Sequence, residues 1–225
     1  WLVSETGATF ITPEGEVNVN NDAFIAALET ASGWVGGISP EGVTTYGEED
    51  SRNVWQAGNA AFMRNWPYAY GLGNADDSVI KGLFDYAPLP MGAGGAPAAC
   101  LGGWQIAVSK YSDNVEAAAS VAAFIASYDE QKARAISSFG ANPTIPSLYE
   151  DQELLDANPL FARMGPILAS AFPRPSGFTA ARYNDASTLF FTAVHSVLTG
   201  ETDAQTAMED LELDLQDLVD EVMGG

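Results

Sequence analysis

The chain has 225 residues, 47% apolar and 11% aromatic, enough to bury one large core or two small ones. Its formal charge of −21, from 30 acids against 9 bases, repels nucleic acid and anionic membranes and excludes both as main partners. No apolar run reaches the ~18 residues of a membrane span, and a single Cys100 with a single His195 excludes an intrachain disulfide and a zinc cluster and leaves triad catalysis without a setting.

Residue 1 is Trp, followed by Leu-Val-Ser-Glu without a basic flank, so the chain reads as starting inside a longer protein rather than with a signal peptide. Residues 8–11 and 17–19 flank the turn signal Pro13-Glu14-Gly15 and predict a hairpin. Asn20-Asn21-Asp22 offers a cap for a helix spaced by Phe24, Ile25, Leu28 and Ala31. Glu48-Glu49-Asp50 places acids at the positive end of a second helix. Residues 61–65 then read as a short strand delivering the chain to Trp66, with Pro67 fitting the first turn of the next helix.

Residues 83–90 predict another strand, and Gly92 to Pro97 is too rich in small residues to be anything but a loop. Trp104 to Val108 alternates as a strand. A capping box Asp113-x-x-Glu116 precedes a helix with Val115, Ala119, Ala122 and Ile125 on one face. Further helices are expected from Asp129 to near Gly140, from Pro159 to Ser170, and around Leu189, Phe190, Ala193, Val194 and Val197. Phe172 to Gly177 reads as a rigid loop. The last helix, capped by Thr202-x-x-Gln205, carries a stripe of Met208, Leu211, Leu215, Leu218 and Val222. Its nine acids between Glu201 and Glu221 therefore face solvent and do not form a metal site.

Two motifs carry chemistry: Asn65-Trp66-Pro67-Tyr68-Ala69-Tyr70 and Gly102-Gly103-Trp104. Each puts an aromatic face beside residues that interrupt ordinary helix or strand. A sugar has an apolar face of C–H groups that stacks on such rings and a rim of hydroxyls that needs hydrogen-bond partners. The bland alternative is that both tryptophans plug a core, as large aromatics usually do. Their position at element junctions favours binding, and the glycines let a ligand approach the backbone.

Residues 56–63 leading into Asn65-Trp66-Pro67-Tyr68, with Gly102-Gly103-Trp104, Asn142-Pro143-Thr144, Pro173-Arg174-Pro175 and the ending 193–200, resemble the extracellular solute-binding proteins of sugar ABC transporters, most closely the trehalose/maltose type. The motifs keep the family's order across nearly the whole chain. The resemblance implies an α/β, type II periplasmic-binding-protein-like fold of two lobes, of which this chain matches only the C-terminal portion. It assigns residues 1–88 to part of the C-terminal lobe, 89–143 to a segment returning to the N-terminal lobe, and 144–225 to C-terminal-lobe helices.

It also implies a non-catalytic receptor, periplasmic or extracellular and cell-envelope associated, that hands a di- or oligosaccharide to membrane permease subunits. No cofactor or metal is expected, and no insertion into the membrane. Carried over by motif, Trp66, Tyr68 and Trp104 would border or stack on the sugar, Gly103 would offer its backbone, and Arg174 would donate to hydroxyls. Arg182 is the alternative to Arg174. Arg64 and Tyr70 are weaker candidates, and Tyr70 serves equally well as lobe packing. The competing reading is a carbohydrate-active enzyme with paired carboxylates, against which no acid adjoins either aromatic motif in sequence. A binder of peptides or polyamines would want acids there.

Overall fold

A computed structural model describes residues 1–92, 99–137 and 141–224. Its α-helices are α1 (Leu2–Thr6), α2 (Asp22–Ser32), α3 (Glu48–Gln56), α4 (Tyr68–Gly73), α5 (Val115–Ile125), α6 (Tyr128–Ile136), α7 (Gln152–Ala157), α8 (Leu160–Ala169), α9 (Ser176–Thr179), α10 (Tyr183–Leu198) and α11 (Ala204–Gly224). They fall into two compact units. The first holds residues 1–47, 88–101 and 171–225, the second 48–87 and 102–170.

In the first unit α2, α10 and α11 bury their apolar stripes against one another. Phe24, Ile25 and Leu28 meet Ala186 and Val197 and the α11 row Met208, Leu211, Leu215 and Leu218. Phe190 of α10 stacks on Phe10 at 4.5 Å between centroids, joining the N-terminal segment to this core. The predicted caps hold in part. Asn21 accepts from the Phe24 N–H at 2.9 Å as expected. The last helix is capped by Asp203, which accepts from the Thr206 N–H at 2.9 Å, and not by Thr202. The predicted hairpin shrinks to one antiparallel bridge, Ile11 to Val17. Gly15 turns it at φ +90°, where a β-carbon would lie 2.6 Å from the Phe178 ring, so the close approach requires glycine.

In the second unit Leu148, Leu154, Leu160, Phe161 and Met164 form a core with Ala135 of α6. Asp151 caps α7 by accepting from the Leu154 N–H at 3.1 Å, and its carboxylate also holds Lys132 of α6 at 2.9 Å. Beside them runs an edge-to-face chain of rings: Trp55 on Phe84 at 4.5 Å, Phe84 on Tyr70 at 5.4 Å, Tyr70 on Tyr86 at 5.5 Å. The Arg163 guanidinium caps this chain 4.1 Å over Tyr86.

The three segments expected as strands, 61–65, 83–90 and 104–108, run without ladder partners. The described residues hold only isolated bridges. Strands are stabilised by pairing, and a segment of strand-forming residues with no neighbour does not form one. Helix α5 forms where predicted but without the expected Asp113-x-x-Glu116 capping box: its N-cap is Asn114, which makes no side-chain cap bond, and none of its residues is buried. Helix α6 ends at Ile136; the expected continuation to Gly140 and the loop from Ala93 to Pro97 lie outside the described residues.

Candidate functional site

The aromatic motif is placed by α3. Nine helical residues rise about 14 Å, and the non-helical return of residues 59–65 is long enough to bring the chain back beside the start of that helix. Asn65 closes the loop: its Nδ2 donates to the Glu48 carbonyl at 2.9 Å, while its Oδ1 accepts from the Trp66 N–H at 2.7 Å. Pro67 then opens α4 as its N-cap, in the role its missing N–H suits.

Both rings deliver their polar edge to the first turn of α3. The Trp66 Nε1–H donates to Glu48 Oε1 at 3.1 Å. The Tyr68 hydroxyl donates to Glu49 Oε1 at 2.5 Å. Arg52, one turn on, holds the other Glu49 oxygen through Nε at 2.9 Å and reaches Gln56 through Nη1 at 2.5 Å. Gln56 donates in turn to the Leu72 carbonyl of α4 at 3.1 Å. The network fixes the carboxylates in their charged form. Glu48 is held below the usual range by its own backbone N–H and then by the indole, Glu49 by Arg52 and then by Tyr68. The Tyr68 phenol is pushed up to about 12 by burial and by its bond to Glu49.

Trp66 and Tyr68 are half-buried. Arg64 is exposed, and its charge adds to holding Glu48 ionised. Tyr70 faces the other way, packed in the ring chain between Phe84 and Tyr86. Trp104 stands on the extended segment after Gly103, 99% exposed, and Gly103 itself has open space where a β-carbon would be. Arg174 and Arg182 belong to the first unit. Arg174 is exposed and donates to the Leu101 carbonyl at 3.1 Å. Arg182 is bound to Asp185 at 2.6 Å and to Glu221. That double ion pair engages the guanidinium on two carboxylates, whereas Arg174 binds one carbonyl.

Glu48, Glu49 and Arg52 are the members of this arrangement that sequence inspection misses. The acids stand 18 and 19 residues before their aromatic partners, and at a helix start they read as dipole-satisfying residues. The statement that no acid adjoins the aromatic motif is true along the chain and false in space.

Comparison with known proteins shows the fold to be type II periplasmic-binding-protein-like. Residues 2–132, more than half of the chain, match the family described as bacterial extracellular solute-binding protein, and the chain belongs to it. A Deinococcus radiodurans protein described as a probable ABC transporter-binding protein is 45% identical over 212 residues, which cover 94% of this chain and 50% of that protein. The chain thus spans about half the length of this relative. Among solved structures, maltose-bound MalE3 of T. maritima superposes with a TM-score of 0.89 at 39% identity, over 96% of this chain and 55% of that one. A Thermotoga lettingae ABC transporter solute-binding protein bound with α-D-tagatose has a TM-score of 0.82 at 22% identity, over 97% of this chain and 55% of that one, and shares the fold alone.

Proposed function

We propose that the chain is the C-terminal portion of a substrate-binding receptor that delivers a di- or oligosaccharide of maltose or trehalose type to an ABC permease outside the cytoplasm. The observation that carries the reading is the Trp66–Tyr68 pair. Its polar edges are tied to α3, and the rings keep flat apolar faces of the kind a pyranose stacks on. Trp104, beside the open backbone of Gly103, supplies a second such face. Within the first unit Arg174 keeps donors beyond its one bond to the Leu101 carbonyl, whereas Arg182 is engaged by two carboxylates. The maltose bound by the T. maritima protein supports the choice of ligand class.

In this reading residues 89–143 reach back to the N-terminal lobe, and the rest of the longer polypeptide covers α5, whose Val121 and Phe124 are 57% and 61% exposed. The enzymatic alternative is weaker on chemical grounds. A glycosidase needs one carboxylic acid kept protonated, and the two acids beside the rings are both held ionised.

Calorimetric titration of the full-length protein with maltose, trehalose and spermidine tests the proposal. Trp66→Ala and Trp104→Ala should each weaken binding of a disaccharide by about 1–3 kcal/mol, as buried aromatic anchors do, and the sugar should be recovered intact. Wild-type affinity in both variants removes the stacking role, and binding of spermidine alone would replace the sugar by a polyamine.

A further inference from the structure

Trp66 and Tyr68 each end in a donor, and both donors are already used. We infer that Glu48 and Glu49 are positioning residues of this site: they take up the Trp66 indole N–H and the Tyr68 hydroxyl proton, fix the two ring planes, and leave the pair to recognise a ligand's apolar C–H face without donating to its hydroxyls. The inference rests on the sugar-stacking reading and deepens it.

Four observations carry it. The two bonds, 3.1 Å and 2.5 Å, come from adjacent residues of one helical turn, so a single rigid element sets both rings. Glu49 is itself braced, with Arg52 on its second oxygen at 2.9 Å and Arg52 anchored to Gln56. Gln56 is tied to α4, the helix that carries Tyr68, so the brace closes on the element it orients. The backbone is fixed independently by Asn65 at the Glu48 carbonyl. A carboxylate acceptor makes the stronger kind of hydrogen bond, and both acids stay ionised at neutral pH for the reasons given above. Preorganised rings lose less freedom when a ligand arrives, which raises affinity without any new contact.

The consequence is a division of labour. Trp66 and Tyr68 read shape, and the donors that the ligand's hydroxyls need come from other groups.

The test uses the full-length protein and two readouts. The indole ¹H–¹⁵N resonance that disappears in Trp66→Phe belongs to Trp66. Glu48→Ala should move that resonance and weaken disaccharide affinity about three- to tenfold, the loss expected for one hydrogen bond. Glu48→Gln keeps a carbonyl acceptor and should return both readouts most of the way to wild type. Glu49→Ala and Tyr68→Phe both remove the Tyr68–Glu49 bond, and Glu49→Ala releases Arg52 as well, so Tyr68→Phe should weaken binding no more than Glu49→Ala, and the double variant no more than Glu49→Ala. The inference is overturned if Glu48→Ala leaves resonance and affinity unchanged. It is also overturned if Tyr68→Phe costs more than Glu49→Ala and the two add, since the hydroxyl would then serve the sugar directly. Undiminished affinity in Trp66→Ala would sink the stacking reading, and the binding role of the two acids with it, whatever the indole resonance shows.

Discussion

Gly73 shows how a single residue positions the aromatic site. It is buried at the end of α4, and a β-carbon there would lie 2.7 Å from both the Trp55 and the Phe84 rings. Those rings interlock edge to face and have little room to retreat. Gly73→Ala should therefore destabilise the second unit by about 1–3 kcal/mol, the usual cost of overpacking, and thermal denaturation checks it; an unchanged midpoint would mean that the rings move aside. Trp55, 9% exposed, is the core tryptophan here. The sequence singled out Trp66 and Trp104 for a different role by the residues around them: Pro67 and the paired glycines break regular structure, and a core plug has no need of that.

Elements are joined by a few polar side chains and by long apolar stripes. Asp151 caps α7 and binds Lys132 of α6, with the Tyr128 hydroxyl donating at 3.0 Å. Lys132, the Leu154 N–H and then Tyr128 hold its carboxyl down at about 2, against about 3.9 for an unfolded aspartate. A depressed folded value contributes stability that is complete above the unfolded value and lost as pH falls from about 4 towards 2. Asp151→Asn keeps a capping oxygen but not the charge. It should be less stable than wild type at pH 7 and show a flatter decline between pH 4 and 2, read from urea midpoints; parallel curves would show that Asp151 adds nothing to the acid limb. Apolar stripes do the larger work. Leu215 is fully buried in the core shared by α2, α10 and α11, so Leu215→Ala should cost about 2–5 kcal/mol. Chemical denaturation measures it, and a loss below 1 kcal/mol would show that the helices close over the gap.

On the scale of the molecule, exposed apolar surface and charge act against each other. Trp104, Ile106, Val115, Val121 and Phe124 are all exposed, on a segment and a helix without buried residues. Exposed apolar side chains of this kind favour association, while a net charge of −21 keeps molecules apart over a Debye length of ~10 Å at 0.1 M salt. The 225-residue chain should accordingly self-associate more strongly as salt is raised, seen by light scattering, with residues 102–125 exchanging amide hydrogens fast at low salt. A chain that stays monomeric at every ionic strength and protects those amides would contradict both the exposure and the idea that further polypeptide covers α5.

The sequence by itself determined the local structure. Helices α2, α3, α4, α5, α10 and α11 stand where the Asn21 cap, the acids from Glu48 to Asp50, Pro67 and the 3.6-residue stripes put them, because those signals act within one or two turns. The order of short motifs was enough to point to the solute-binding family. What only the tertiary structure decided depends on residues far apart in sequence. Segments 61–65, 83–90 and 104–108 read as strands but have no partner strand among the described residues, a fact no local pattern contains. Tyr70 went to the ring chain of Phe84 and Tyr86, and Arg182 to Asp185 and Glu221. Glu48 and Glu49 came to Trp66 and Tyr68 because α3 and its non-helical return fold back on themselves. A helix start and an aromatic motif eighteen residues apart become neighbours only when the chain between them has a shape.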